Sequence, residues 1–60
     1  MTLYIRFGYL DRFNKLYNNN ENLQEMVGRW TGIKWNIYDV VYIEEIEHIL
    51  SDDGIKYDIA

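Results

Sequence analysis

Residues 43–50 have the sequence IEEIEHIL, which combines apolar residues with three glutamates and the only histidine of the chain. At helical spacing the apolar side chains fall on one side, while the charged ones remain for solvent. The predicted buried stripe consists of Val40, Ile43, Ile46, Ile49 and Leu50. The stretch therefore predicts an amphipathic helix that begins at Asp39 or Val40 and ends at residues 51–54, SDDG. Alternatively, a preceding strand continues to about Ile43.

The N-terminal half predicts one strand and two helices. Residues 2–9, TLYIRFGY, alternate as in a half-buried strand whose inner face carries Leu3, Ile5, Phe7 and Tyr9. Residues 10–17 have apolar side chains at helical spacing, and the asparagines at 18–20 end that helix. Asn22 and Glu25 have the form of a capping box for a second helix, which ends at Gly32. Its predicted apolar stripe consists of Leu23, Met26, Val27 and Trp30.

Two further strands complete the prediction. Residues 33–38 and residues 55–59 both alternate apolar and polar side chains, which is typical of half-buried strands. The sequence thus predicts a single small α+β domain over residues 1–60, with the order β-α-α-β-α-β. In this prediction the helices pack on one face of a three-stranded sheet. The edges of such a sheet are exposed and can pair with another chain.

The length of the chain limits its hydrophobic core. A protein of 60 residues buries only about 60% of its unfolded surface. Small scaffolds usually need disulfides, a metal or association with another chain. The chain has no cysteine, and 17% of its residues are aromatic, which favours either a dense core or an interface. We therefore expect a homo-oligomer, in the simplest case a dimer.

Catalytic and metal chemistry find little support in the sequence. Glu45 and His48 have the Glu-x-x-His spacing of di-iron bundles, but such a site needs two of these motifs and further inward glutamates. Ser51 has no base in a recognisable motif, and the four glycines are scattered rather than gathered in a phosphate-binding loop. We expect no enzyme activity, no cofactor and no metal site.

Charge is distributed unevenly along the chain. Residues 1–35 have a net charge of +2, whereas residues 36–60 have a net charge of −6 with Lys56 as their only cation. If the third helix shares a surface with its flanking turns, that surface is a compact negative patch. Such a patch attracts basic partners and repels nucleic acid. The alternative interpretation is an acidic face that only keeps a small protein dissolved.

The favoured hypothesis is a small acidic protein-protein interaction module that docks its third helix on a basic site of a larger host protein. Small size, acidity and the lack of catalytic groups are typical of inhibitors encoded by phages and plasmids. The predicted partner-binding residues are Tyr38, Asp39, Tyr42, Glu44, Glu45, Glu47, His48, Asp52 and Asp53.

Two alternative functions stay open. One is a structural homo-oligomer with no separate ligand. The other is a binder of single-stranded nucleic acid through the segment from Arg29 to Trp35, RWTGIKW, which interleaves cations with indoles. The second alternative is disfavoured, because Trp30 and Trp35 both fall on predicted core stripes.

The sequence also predicts where the protein works. The N-terminal residues lack the apolar run of a signal peptide, and no apolar stretch approaches the ~20 residues that span a bilayer. We expect a soluble cytoplasmic protein with no membrane partner.

Overall fold

Four antiparallel strands and three helices form the domain in this computed structural model, which describes all residues from 1 to 60. The strands are β1 (Thr2–Ile5), β2 (Val27–Thr31), β3 (Lys34–Ile37) and β4 (Tyr57–Ile59). The helices are α1 (Leu10–Asn18), α2 (Glu21–Met26) and α3 (Ile43–Asp52). Short 3-10 turns at Phe7–Tyr9 and Val40–Tyr42 precede α1 and α3. The α+β class and the three helices agree with the sequence prediction, but the sheet has a fourth strand.

The sheet order is β2-β3-β1-β4, so chain neighbours are not always sheet neighbours. Since β3 is antiparallel to both β1 and β2, these two strands run in the same direction, and α1 and α2 connect them. By the same reasoning β3 and β4 are parallel, with β1 between them and α3 as their connection. The domain therefore consists of two interlocked β-α-β units, the split arrangement in which another strand separates each parallel pair.

The unpredicted strand, β2, occupies the second half of the predicted second helix. That helix ends at Met26, and Val27 pairs with Ile37 of β3. The cap is also two residues earlier than predicted: the Asn20 Oδ1 accepts a hydrogen bond from the Leu23 backbone N–H at 2.9 Å, so Asn22 is not the cap. Spacing alone favoured a longer helix, but pairing with β3 outweighs it, as tertiary contacts commonly outweigh local propensity.

Gly32 lies in the turn between β2 and β3, not at the end of a helix as predicted. Its φ of +54° is a left-handed conformation that glycine adopts without strain. The turn follows a bulge, because Arg29 lies opposite Trp35 while Thr31 lies opposite Lys34. Trp30 is the extra residue of this bulge, and bulges commonly redirect a side chain.

The first strand is shorter than predicted. Leu3 and Ile5 are fully buried, but the strand ends there and Phe7 is 85% exposed, so its prediction as an inward residue is wrong. The Arg6 backbone N–H donates to the Lys56 carbonyl, and beyond this bond the chain changes direction. The Tyr9 N–H donates to the Arg6 carbonyl at 2.8 Å and closes the turn. This turn aims the chain into α1 and ends the alternation of inward and outward side chains.

The core lies between the sheet and the helices. Its buried members are Leu3, Ile5, Phe13, Leu23, Met26, Val27, Trp35, Ile37, Ile46, Leu50 and Ile55. Trp35 is at its centre, with ring centroids 4.6 Å from Phe13 and 4.8 Å from Tyr17. The Arg29 guanidinium covers the same indole at 5.0 Å and donates to the Asn14 Oδ1 at 2.7 Å. The Trp35 Nε1 is buried and has no hydrogen-bond partner.

The predicted third helix is present, but it begins later than predicted. Asp39 does act as a cap, since its Oδ1 accepts from the Val41 N–H at 3.1 Å, yet it caps the 3-10 turn and α3 starts at Ile43. Ile46 and Leu50 are fully buried, which confirms the centre of the predicted apolar stripe. Val40 is 62% exposed and does not belong to that stripe.

Candidate functional site

The outward side of α3 carries the acidic residues that the sequence singled out. We define the acidic helix face as Glu44, Glu45, Glu47, His48 and Asp52, all of which are exposed. Burial of the apolar stripe against the sheet fixes this side toward solvent. None of its residues forms an ion pair within the protein, and the one ion pair of the structure joins Arg6 to Asp58. The face is therefore an uncompensated negative surface.

One depression lies between α3 and β4. Glu44, Glu47 and His48 line it together with Ser51 and Tyr57. The pKa of the Tyr57 phenol is raised above its usual 10.0, first by burial and then by the negative charge and hydrogen bonding of Glu47, while a hydrogen bond with Ser51 lowers it. A carboxylate beside a protonated phenol and a histidine can accept hydrogen bonds from a basic side chain.

The other flank of α3 faces α2. Glu45 and Tyr42 line a depression there with Asn22, Glu25 and Met26. Glu45 and His48 thus line different depressions. The structure contains no group of three or more histidine, cysteine or acidic side chains placed to hold a metal ion.

An exposed apolar turn precedes the acidic helix face. Val40 is 62% exposed and Val41 is 72% exposed, and Asp39 holds their turn in place through its bond to the Val41 N–H. We call Val40 and Val41 the valine turn. Sequence reasoning missed this feature because it assigned Val40 to the buried side of a longer helix.

Two of the predicted site residues, Asp53 and Tyr38, contact parts of the molecule other than the acidic helix face and the valine turn. Asp53 shares a depression with Arg12 and Lys15, and the Arg12 Nη1 donates to the Asp53 carbonyl at 3.3 Å. These cations compensate the acidic end of α3, as positive charge does at a helix C-terminus. Tyr38 lies on the far side of the sheet against Gly28, so the structure does not bring it together with α3.

The side of the sheet that no helix covers is a second exposed surface. We define the open sheet face as Tyr4, Trp30, Lys34, Asn36, Tyr38 and Asp58. Register places Tyr4 beside Lys34 and Asp58 on the neighbouring strands. Trp30 is 61% exposed, its ring centroid lies 5.6 Å from the Lys34 Nζ, and it shares a depression with Asn36.

The prediction that Trp30 belongs to the core is therefore wrong, whereas the prediction for Trp35 is confirmed. Residues 27–30, VGRW, do not alternate apolar and polar side chains, so no period-two signal in the sequence revealed β2.

High pH should destabilise the fold through two tyrosines. The pKa of the Tyr17 phenol is raised above its usual 10.0, first by burial and then by the nearby Tyr38 phenol, while the positive charge of Arg29 lowers it. The pKa of the Tyr57 phenol is also raised, by the burial and the Glu47 contacts given above. Because the unfolded chain loses these protons first, we expect unfolding free energy to be steady below about pH 10 and to fall as pH rises through the raised values. Urea denaturation at a series of pH values across this range measures how steeply the unfolding free energy falls with pH. The double variant Tyr17→Phe, Tyr57→Phe should lose much of this pH dependence. An unchanged pH dependence in that variant would contradict its attribution to these two tyrosines.

No helix of the structure has both the length and the apolar character needed to cross a membrane. The chain matches no protein-family model, no curated protein and no solved structure.

Proposed function

We propose that the protein is a small interaction module that binds a basic site of a larger protein through α3. The observation that carries this proposal is the valine turn, which presents two exposed apolar side chains directly before the uncompensated acidic helix face. Protein interfaces commonly have an apolar centre that excludes water and a polar rim. Val40, Val41 and Tyr42 can supply the centre, and Glu44 and Glu45 can supply the rim.

Electrostatics supports a partner of positive charge. The glutamates of α3 have no internal cation to neutralise them, so an approaching lysine or arginine gains attraction without breaking an existing ion pair. Exposed charges of this kind mainly raise the association rate and fix orientation. The composition of the chain, which is small and acidic with a net charge of −4, supports the finer proposal of an inhibitor made by a phage or plasmid.

Salt-resolved capture tests the proposed function. The immobilised protein is incubated with extract of the cells that make it, and bound proteins are eluted with rising salt and identified by mass spectrometry. We expect one dominant basic protein that elutes at moderate salt, because screening at about 8 Å in 0.15 M salt weakens exposed charge pairs. The variant Val40→Ser, Val41→Ser should retain the fold, since both valines are exposed, and should capture less. Retention that does not depend on salt would contradict the electrostatic part of the proposal.

The homodimer expected from the sequence stays a prediction. The free edges of β2 and β4 favour it, because unpaired backbone groups there can accept another strand. The β2 edge is partly closed, since the Tyr17 hydroxyl donates to the Val27 carbonyl at 3.0 Å. Molar mass by light scattering over a wide dilution range decides between monomer and dimer.

A further inference from the structure

The open sheet face places aromatic rings on adjoining strands. Trp30 is on β2, Tyr4 is on β1, and Tyr38 directly follows β3. Tyr38 can lie against the backbone of β2 only because position 28 is glycine: a Cβ there would lie 2.8 Å from the Tyr38 Cζ. The hydroxyl end of Tyr38 therefore lies against β2, while 56% of the residue stays exposed. Aromatic rings on the surface of a sheet are platforms on which unpaired bases stack.

Charge on the same side of the molecule is opposite to that of α3. Lys34 lies on the open sheet face, Arg6 is ion-paired with Asp58 at 3.0 Å, and Lys56 lies opposite Arg6 in the β1–β4 pair. Asp58 is the only acidic side chain on this face, and the ion pair neutralises it. The other acidic residues belong to the helices and their flanking turns. Together with the neighbouring Arg6 and Lys56, the open sheet face has three cations and one carboxylate, so this side is positive on a protein whose net charge is −4.

The acidic side does not cancel this attraction at physiological salt. The smallest dimension of the domain is 17 Å, about twice the ~8 Å screening length in 0.15 M salt. A negatively charged strand on the open sheet face therefore experiences mainly Lys34 and Lys56. Face-to-face packing of two copies would instead bring these unpaired cations together, which disfavours a second copy as the occupant.

We propose that the open sheet face binds single-stranded nucleic acid. About two or three bases stack on Trp30, Tyr4 and Tyr38, as on other four-stranded sheets with exposed aromatic rings, and the phosphates lie at Lys34 and Lys56. The site selects single strands, because paired bases do not offer their faces to the rings. This activity is separate from the proposed docking through α3, since the two surfaces lie on opposite sides of the sheet.

Fluorescence anisotropy of a short labelled oligonucleotide of mixed sequence tests this proposal, with DNA and RNA strands and the matching duplex compared. We expect about micromolar binding of the single strand at 0.15 M salt, where the acidic side is screened, and much weaker binding of the duplex. Trp30→Ala should weaken binding about 5- to 100-fold, in line with stacking energies of about 1–3 kcal/mol per base. Lys34→Gln should reduce the slope of log affinity against log salt by about 0.7. The matched control Lys15→Gln, which removes an exposed cation from α1, should change affinity far less.

Three results would overturn the proposal. One is the absence of binding at 0.15 M salt. Another is equal loss in the Trp30→Ala and Lys15→Gln variants, which would show that the aromatic face is not the site. The third is a concentration-dependent increase in molar mass with a blue shift of tryptophan emission that Trp30→Ala abolishes, which would assign the open sheet face to a second copy of the chain. Circular dichroism of each variant verifies that the fold is retained.

Discussion

Trp35→Ala is expected to unfold the protein. Trp35 is fully buried and contacts both Phe13 and Tyr17, so its removal leaves a large cavity where the sheet meets α1. Truncations of buried aromatic residues cost about 3–5 kcal/mol. A domain of 60 residues has about 3–9 kcal/mol of stability in total. We therefore expect loss of most native signal in circular dichroism at 37 °C and a strongly lowered urea midpoint where folded protein remains.

Trp35→Phe is the matched control for this prediction. It keeps an aromatic ring next to Phe13 and removes the Nε1, which is buried without a partner in the native protein. Burial of an unpaired N–H costs about 1–3 kcal/mol, so its removal offsets part of the lost packing. The Phe variant should remain folded with a modestly lowered midpoint. Equal destabilisation by Ala and Phe would show that the indole itself, rather than the filled volume, stabilises the core.

Charge reversal on α3 should abolish partner capture. The variant Glu44→Lys, Glu47→Lys changes the net charge from −4 to about zero and places two cations where a basic partner would approach. Like charges at an interface cost several kcal/mol, so we expect affinity for the captured protein to fall about 100-fold or more. Both side chains are exposed, and neither forms an ion pair within the protein, so the fold should survive. Binding is measured by the same salt-resolved capture.

The control for charge reversal is Asp11→Lys, Glu21→Lys. These residues lie in the first turns of α1 and α2, and their reversal gives the same net charge without altering the acidic helix face. We expect the control to retain most of the capture. If both variants lose it equally, total charge rather than the surface of α3 governs binding. Retained capture in the Glu44, Glu47 variant would locate the docking site elsewhere.

Sequence periodicity predicted α1 and α3 because their apolar residues repeat at only one period. In α3, Ile46 and Leu50 have no competing interpretation as a strand, and the same stripe fixed which glutamates face solvent. The segment after Asn20 was different, since Leu23, Met26 and Val27 fit a helix whether or not it stops at Met26. What stops it is pairing of Val27 with Ile37, ten residues away in the chain, and local spacing contains no record of that contact.

The missed strand explains the error in the candidate site. Once residues 27–31 were assigned to a helix, Trp30 fell on its buried stripe and Tyr38 lacked the neighbouring strand whose Gly28 it contacts. The acidic helix face needed only local amphipathicity and was predicted. The open sheet face depends on the register of four strands, and so it became visible only in the structure.

The position of β1 between β3 and β4 has a consequence for how the chain folds. β1 leaves the ribosome before the other three strands of the sheet, yet its partners include Asn36 for Thr2 and Asp58 for Tyr4. Both contacts close long loops, whose entropy must be lost before pairing compensates for it. The nascent chain therefore exposes an apolar strand with both edges free until β3 has been synthesised, and with one edge free until β4 follows. Folding should be a late, cooperative event, slower than that of a helical bundle of equal length.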